Sequence, residues 1–387
     1  VTGITAAPEA PLPDWPVLDP KALPGIVGEF VGLATENSEA DPAAVLATFL
    51  VRFGVEVGGG PYLMVGDTAH RCRLASVIVG ETAKARKGTS GKPVSRLFRP
   101  DPVADGRSSH ASAQTTNGPF SSGEGIIWLV RDEVKKWNDR DQEWVTTDPG
   151  VEDKRLFVLD EEFAGVMANT KREGNTLSMI VRSMWDSGNL APIIRHNRTE
   201  ATGAHIGWVS HVTQYELNRR LDESEAFNGF ANRILWVCAR RRKYVPWPKP
   251  MDAARLEPVR SFMFDIAAKM KNAIEIRPDA QATAAWAEQY YRELTKSKPG
   301  FIGCIVNRAE AQALRLAMIY AIVDGCTEIR LGHLESAVAF WAYCERSACH
   351  IFHGRQVDDV TQKILQAVAD GPKNRTALHG LFGNHKD

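Results

Sequence analysis

Net charge is missing from this chain: 47 basic residues are offset by 47 acidic ones. A protein that coats nucleic acid relies on a global excess of Lys and Arg, so that class is excluded, and any contact with a polyanion must be local. No apolar run approaches the roughly 20 residues needed to cross a bilayer. No signal peptide opens the chain, and the expectation is a cytoplasmic protein with no membrane partner. The six cysteines, at 72, 238, 304, 326, 344 and 349, include no C-x-x-C pair. That argues against a disulfide framework and suits a reducing compartment. Cys344, Cys349, His350 and His353 have zinc-ligand chemistry, but residues 334–352 carry helical spacing that points the two thiols in different directions, so no protein metal site is expected. What is there is 387 residues with 44% hydrophobic content, enough for one large core and an appendage.

Two stretches carry most of the chemistry. Residues 74–90 read LASVIVGETAKARKGTS, an apolar run breaking into a Gly-led, Lys-containing loop; residues 156–162 read LFVLDEE, an apolar run ending in acids. A triphosphate is polyanionic, so a loop that cradles it turns backbone N–H groups inward, and glycine permits the φ values this requires. Gly80 and Gly88 are the candidates. Lys87 is placed to reach the β- and γ-phosphates, with Arg86 beside it, and Thr89 or, failing that, Ser90 offers the hydroxyl for Mg²⁺ at the start of a helix. The spacing departs from G-x-x-x-x-G-K-[ST]: six positions before Lys87 is Glu81, and Gly88 separates Lys87 from Thr89. The bland alternative is a basic, glycine-containing turn.

Phe157, Val158 and Leu159 suit a buried parallel strand, which puts Asp160 and Glu161 at its carboxyl end, where open α/β sheets bind ligands. Asp160 would hold the Mg²⁺ shell and Glu161 would polarise the attacking water. Acids at a helix N-terminus are favoured by the dipole in any case, and Glu162 reads that way.

Together with SSGEG at 121–125, HIGWVSHVTQYEL at 205–217, NGFANRILWV at 228–237 and NRAEAQALRLAMIYAIVDG at 307–325, these stretches resemble a family of P-loop ATPase domains of phages, plasmids and integrated elements. That family was long labelled a domain of unknown function. Its members often follow a primase-polymerase module and are similar to RecA- and DnaB-type hexameric helicases. The resemblance covers roughly residues 20 to 355. It implies ATP and Mg²⁺ as cofactors, single- or double-stranded DNA as partner, and a homo-oligomer, a hexameric ring. It further implies that the strand at 206–212 senses the γ-phosphate through His211, Thr213 or Gln214, and that Arg233 acts as an arginine finger on a neighbouring subunit's ATP. For these the plain alternatives are a capped strand end and a surface arginine.

The expected fold is α/β: a RecA-like P-loop core with a mainly parallel sheet over residues 21–245, then a helical domain over 255–354. Residues 1–20, rich in Pro and Ala, read as a linker. Residues 356–387 read as a short helical tail resembling the opening of a winged helix. Strands are expected at 74–79, 126–130, 156–160, 191–195, 206–213 and 234–239, helices at 164–186 and 214–222 among others, and loop over 91–125. A hairpin around 194–205 would present Arg195 and Arg198 to phosphates. The function expected is an ATP-dependent DNA helicase or translocase of a mobile element. The alternatives are a weakly hydrolysing nucleotide-binding scaffold that positions a primase, and a phage-defence or packaging motor sharing the same site.

Overall fold

A computed structural model describes residues 13–80, 87–99, 112–192, 199–221, 223–272 and 274–353, and beyond these only 364, 367–368, 371 and 373–382. Helices α1 (Gly25–Glu36) and α2 (Pro42–Val57) come first. The Asp41 carboxylate accepts the Ala43 N–H at 2.9 Å and starts α2, with Pro42 at the first helical position, where no N–H is needed. Every residue of α2 from Ala43 to Val57 is buried, as befits a helix that is apolar almost all round.

The chain continues through β1 (Pro61–Val65), β2 (Thr68–Arg71), β3 (Ala75–Gly80), α3 (Gly91–Leu97), β4 (Gln114–Asn117), α4 (Gly123–Leu129) and the antiparallel hairpin β5 (Val134–Asn138) and β6 (Glu143–Asp148). Next are β7 (Arg155–Asp160), α5 (Phe163–Thr170), α6 (Leu177–Asp186), β8 (His205–Thr213), α7 (Gln214–Arg220), α8 (Glu223–Phe227) and β9 (Ile234–Ala239). Strands β3, β4, β7, β8 and β9 form one all-parallel sheet in the order β4-β7-β8-β3-β9. Parallel strands covered on both faces read as continuous apolar runs. For that reason the strands expected at 74–79, 156–160, 206–213 and 234–239 match β3, β7, β8 and β9.

Other expectations need correction. Residues 126–130, IIWLV, belong largely to α4: the Ser122 hydroxyl accepts the Gly125 N–H at 3.1 Å, and Ile126 and Ile127 turn inward. A short apolar run fits either period, and here the cap decides. The loop expected over 91–125 contains α3, β4 and the start of α4. The helix expected at 164–186 is two helices, with Gly174 at φ 74° between them. The strand expected at 191–195 falls partly outside the described residues; beside it a single antiparallel bridge joins Leu190 to Ala201.

Helix α2 crosses one face of the sheet so closely that a Cβ on Gly207 would lie 2.4 Å from Val55 Cγ2. The other face is aromatic, with Trp208 packed on Phe120, Phe163 and Phe230 at centroid distances of 5.0, 5.5 and 6.4 Å.

Beyond residue 252 the chain is mostly helical: α9 (Ala253–Lys269), the two-residue strands β10 (Ile274–Glu275) and β11 (Arg277–Pro278), α10 (Ala280–Ala285), α11 (Tyr291–Leu294), α12 (Gly300–Val306), α13 (Ala309–Val323), β12 (Glu328–Ile329) and α14 (Leu331–Ile351). One buried cluster extends from Ala22 to Phe352, so these helices share the core of the sheet. Helix α14 covers the outer edge of β9: the Tyr343 hydroxyl donates to Cys238 O at 2.7 Å, and the Cys238 N–H donates to the Ser347 hydroxyl at 3.2 Å. No helix among the described residues is long and apolar enough to cross a membrane. Most of the tail from 354 onward, including the segment read as a winged-helix opening, lies outside the described residues; Arg375–Gly380 is helical.

Candidate functional site at the carboxyl edge of the sheet

Because the five strands run one way, their carboxyl ends line one edge. Gly80 closes β3 and pairs with Thr213, which closes β8; Asp160 closes β7 and pairs with Ser210. Only β8 separates the two strands, about 10 Å at ordinary strand spacing, and Gly80 reaches three residues further along, level with Thr213 where Asp160 is level with Ser210. From β3 the chain crosses outward to β4, whereas from β8 it crosses over β3 to β9. The carboxyl end of β3 is therefore a topological switch point, the place where α/β sheets leave a crevice.

Residues 81–86, including Arg86, lie outside the described residues. The chain returns at a 3₁₀ turn, Lys87–Thr89, followed by Ser90 and α3. Ser90 is fully buried and Thr89 and Gly88 are half-buried. Gly91, next along, is pressed onto the end of β7: a Cβ there would come within 2.9 Å of Leu159 Cδ2. That contact brings the Lys87–Ser90 segment and the acid pair to one place, although some seventy residues separate them in sequence.

Asp160 has no solvent exposure. Its Oδ2 accepts the Ser210 hydroxyl at 2.5 Å and its Oδ1 accepts the Glu162 N–H at 2.8 Å. Burial pushes the carboxyl above the ordinary aspartate range; the Ser210 and Glu162 hydrogen bonds pull against that, and the charges of Glu162 and Glu161 push it higher. The partners recorded for it are the Ser210 hydroxyl and the Glu162 N–H. A buried carboxyl, with the Thr89 and Ser90 hydroxyls in the adjoining segment, offers the all-oxygen donor set that suits Mg²⁺. Glu161 and Glu162 are exposed, Glu162 at the N-cap of α5.

Ser210 was not singled out by sequence reasoning. It lies in a strand whose burial is continuous, and the readable signal was one small hydroxyl in an otherwise bulky run, HIGWVSHVT, at the position that registers with the strand-terminal aspartate.

The candidates at the end of β8 are used differently. Thr213 caps α7: its hydroxyl accepts the Glu216 N–H at 3.2 Å and donates to Glu216 Oε2 at 2.8 Å. Gln214 donates its amide to Ile351 O at 3.3 Å, tying α7 to the end of α14. His211 is buried within β8 opposite Ile78.

Arg233 is not at this edge at all. It precedes β9, so it lies at the amino edge, 7% exposed. Its Nη2 and Nε donate to the Asp186 carboxylate at 2.7 and 3.1 Å, and its Nη1 donates to Gly229 O at 2.5 Å. The guanidinium expected to project towards a neighbouring subunit is instead tied within its own. Arg195 and Arg198 lie outside the described residues.

One cluster has transition-metal ligand types. Asp324, Cys326 and His333 bring their ligand atoms within 4.8 Å of one another, beside a pocket of about 510 Å³ between α1, α13 and α14. The hydrogen bonding opposes a metal. His333 Nδ1 accepts the Arg330 N–H at 3.0 Å, which places the ring proton on Nε2, facing Asp324 Oδ2 at 3.3 Å. A ligating histidine needs the reverse, a free Nε2 lone pair and a donating Nδ1–H.

No protein-family model matches this chain, and no curated protein matches it.

Proposed function

We propose that this chain is a P-loop ATPase with a RecA-like core, and that it works as a DNA helicase or translocase of a mobile element, assembling as a ring. The observation that carries the ATPase reading is the packing of Gly91 on Leu159, which joins the Lys87–Ser90 turn to the end of the Asp160-Glu161 strand at a switch point of the sheet. In this reading the backbone N–H groups after Gly80 cradle the phosphates and Lys87 neutralises their charge. Thr89 or Ser90, with Asp160 steadied by Ser210, supplies oxygen donors for Mg²⁺, and bound Mg²⁺ would offset charge on the transferring phosphoryl group. Glu161, exposed at the strand end, orients the attacking water and accepts its proton.

The DNA part of the proposal is supported by the β5–β6 hairpin. Trp137 and Trp144 face each other across the two strands, their centroids 5.7 Å apart, and remain 45% and 65% exposed. Nearby Trp128 is 54% exposed, with the Arg131 guanidinium 3.8 Å over its ring. Exposed aromatics beside a cation are the elements on which unpaired bases stack. The ring and its helicase role rest on the motif resemblance.

The test is steady-state ATP hydrolysis with and without single-stranded DNA, at low salt, for the wild type and Lys87→Ala. Lys87-dependent turnover stimulated several-fold by DNA is expected. Nucleotide binding without turnover would favour the scaffold reading, as the Gly88 insertion between lysine and hydroxyl would suggest. Hydrolysis unchanged in Lys87→Ala would remove the assignment.

A further inference from the structure

The amino edge of the sheet carries a cluster of positive charge. Four guanidiniums gather around the indole of Trp185 at the end of α6: Arg315 at 3.4 Å from the ring centroid, Arg308 at 5.2 Å, Arg233 at 5.7 Å, and Arg73 through the neighbouring backbone. Part of the cluster is explained by the helix. Arg73 donates to Ser187 O at 2.9 Å and to Asp186 O at 2.8 Å, and Arg315 donates to Trp185 O at 2.9 Å. The carbonyls at the C-terminus of α6 are natural partners for cations.

Arg308 is what that account leaves over. Its side chain is 35% exposed, and among the described residues it makes one hydrogen bond, Nε to Asn232 Oδ1 at 3.1 Å; its Nη1 stands 3.9 Å from Asp186 Oδ1. Glu310 also lies near enough to act on it. Asp186 is an odd counter-charge, since a carboxylate closing a helix opposes the dipole there; it is 44% exposed and held by Arg233. In addition, Arg73 Nε, Arg315 Nε and Trp185 Nε1 are buried with no acceptor among the described residues.

We propose that this edge is a second anion site, in which the Nη groups of Arg308 and the Nη2 and Nε of Arg233 receive a phosphoryl oxyanion and Asp186 is the internal carboxylate that the oxyanion displaces. The phosphoryl group belongs either to a small phosphate ester or to a nucleic-acid backbone, and planar bidentate guanidiniums suit both. The site is independent of the ATPase reading, because it lies at the opposite edge and uses none of the same residues. Mutual repulsion supports it: the neighbouring arginines are among the causes that lower the proton affinities of Arg73 and Arg308, after burial.

The test uses the full chain in metal-free buffer with pyrophosphate as probe, in the Lys87→Ala background so that the carboxyl edge does not contribute. Thermal unfolding and calorimetric titration are read for this protein and for it with Arg308→Gln or Asp186→Asn added. Pyrophosphate should raise the Tm of the parent. Arg308→Gln should weaken binding at least tenfold while its Tm without anion stays equal or rises, because a repelling charge is gone. Asp186→Asn should lower the Tm without anion and recover it with pyrophosphate. A merely structural Arg308 would instead lower the Tm with no change in pyrophosphate affinity. That result, or a parent protein that pyrophosphate does not stabilise, overturns the proposal. With the site upheld, a single-stranded oligonucleotide that displaces pyrophosphate assigns it to nucleic-acid backbone, and one that does not assigns it to a small phosphate ester.

Discussion

Each edge of the central sheet holds one buried charged cluster, and the two clusters are of opposite sign. At the carboxyl edge Asp160 is buried, beside two exposed glutamates. At the amino edge three guanidiniums lie over Trp185, a fourth, Arg73, holds the adjoining carbonyls, and the one carboxylate among them, Asp186, is half-exposed. The zero net charge of the chain conceals this separation completely. A buried carboxyl suits a cation that arrives with its ligand; a crowd of guanidiniums either closes helix ends or suits an anion.

The sharpest break in the comparison comes from the carboxyl edge. Glu161 is exposed, so Glu161→Gln should fold with stability within about 0.5 kcal/mol of the wild type and yet lose about 10²-fold or more in ATP turnover; equal losses of stability and activity would mean a structural role. Next is Asp186→Ala, which strips the buried Arg233 of its half-exposed carboxylate and should cost about 2 kcal/mol in urea unfolding. No change would show that Arg233 is satisfied by Gly229 O alone.

Acid should discriminate between the edges too. His205, fully buried with Nε2 on Gly54 O, is held down to about 3 by burial first and then by Arg73, and His70 is held down to about 4 by burial and by Arg315 and Arg308. Both stay neutral in the fold while the unfolded chain protonates them below about 6.5. Their stabilising contribution is therefore complete above pH 6.5 and is lost as pH falls towards the depressed values. Between pH 7.5 and 5.0 His205 alone should account for about 2 kcal/mol, with His70 adding less because it is partly open to solvent. Denaturation midpoints at the two pH values, with His70→Gln as comparison, check this.

The smallest effect should have the opposite sign. Asp160 has a raised proton affinity, so its ionised form burdens the fold as pH climbs above the ordinary aspartate range. Asp160→Asn keeps one oxygen to accept the Glu162 N–H and can turn its amide N–H to donate to the rotatable Ser210 hydroxyl, so stability at pH 7.5 should be unchanged or slightly higher, while ATP turnover disappears. A clear loss of stability would mean that the ionised carboxylate is already compensated.

Much of this was legible in the sequence, and for identifiable reasons. The four central strands, β3, β7, β8 and β9, announced themselves because burial on both faces leaves an unbroken apolar run, and the acid pair followed from its position at the end of one. The edge strand β4, QTTN, had no such signature, since an exposed edge need not be apolar. Residues 126–130 were read as a strand because five apolar residues fit two periods and the deciding contact, Ser122 to Gly125, is a cap. The finger role of Arg233 is implied by the resemblance alone; its partner Asp186 is 47 residues away, and no local pattern connects them. Ser210 and Gly91 were missed for the same reason: each matters through the strand it touches, Ser210 through Asp160 and Gly91 through Leu159.

The most direct test of the division between the edges is hydrogen exchange of the full-length chain with Mg²⁺ and a non-hydrolysable ATP analogue, compared with the free protein. Protection should concentrate in residues 78–97 and 158–163, leaving 70–75 and 183–188 at their free rates. Protection confined to 70–75 and 183–188, or absent from the turn that follows β3, would contradict the assignment of the nucleotide to the carboxyl edge.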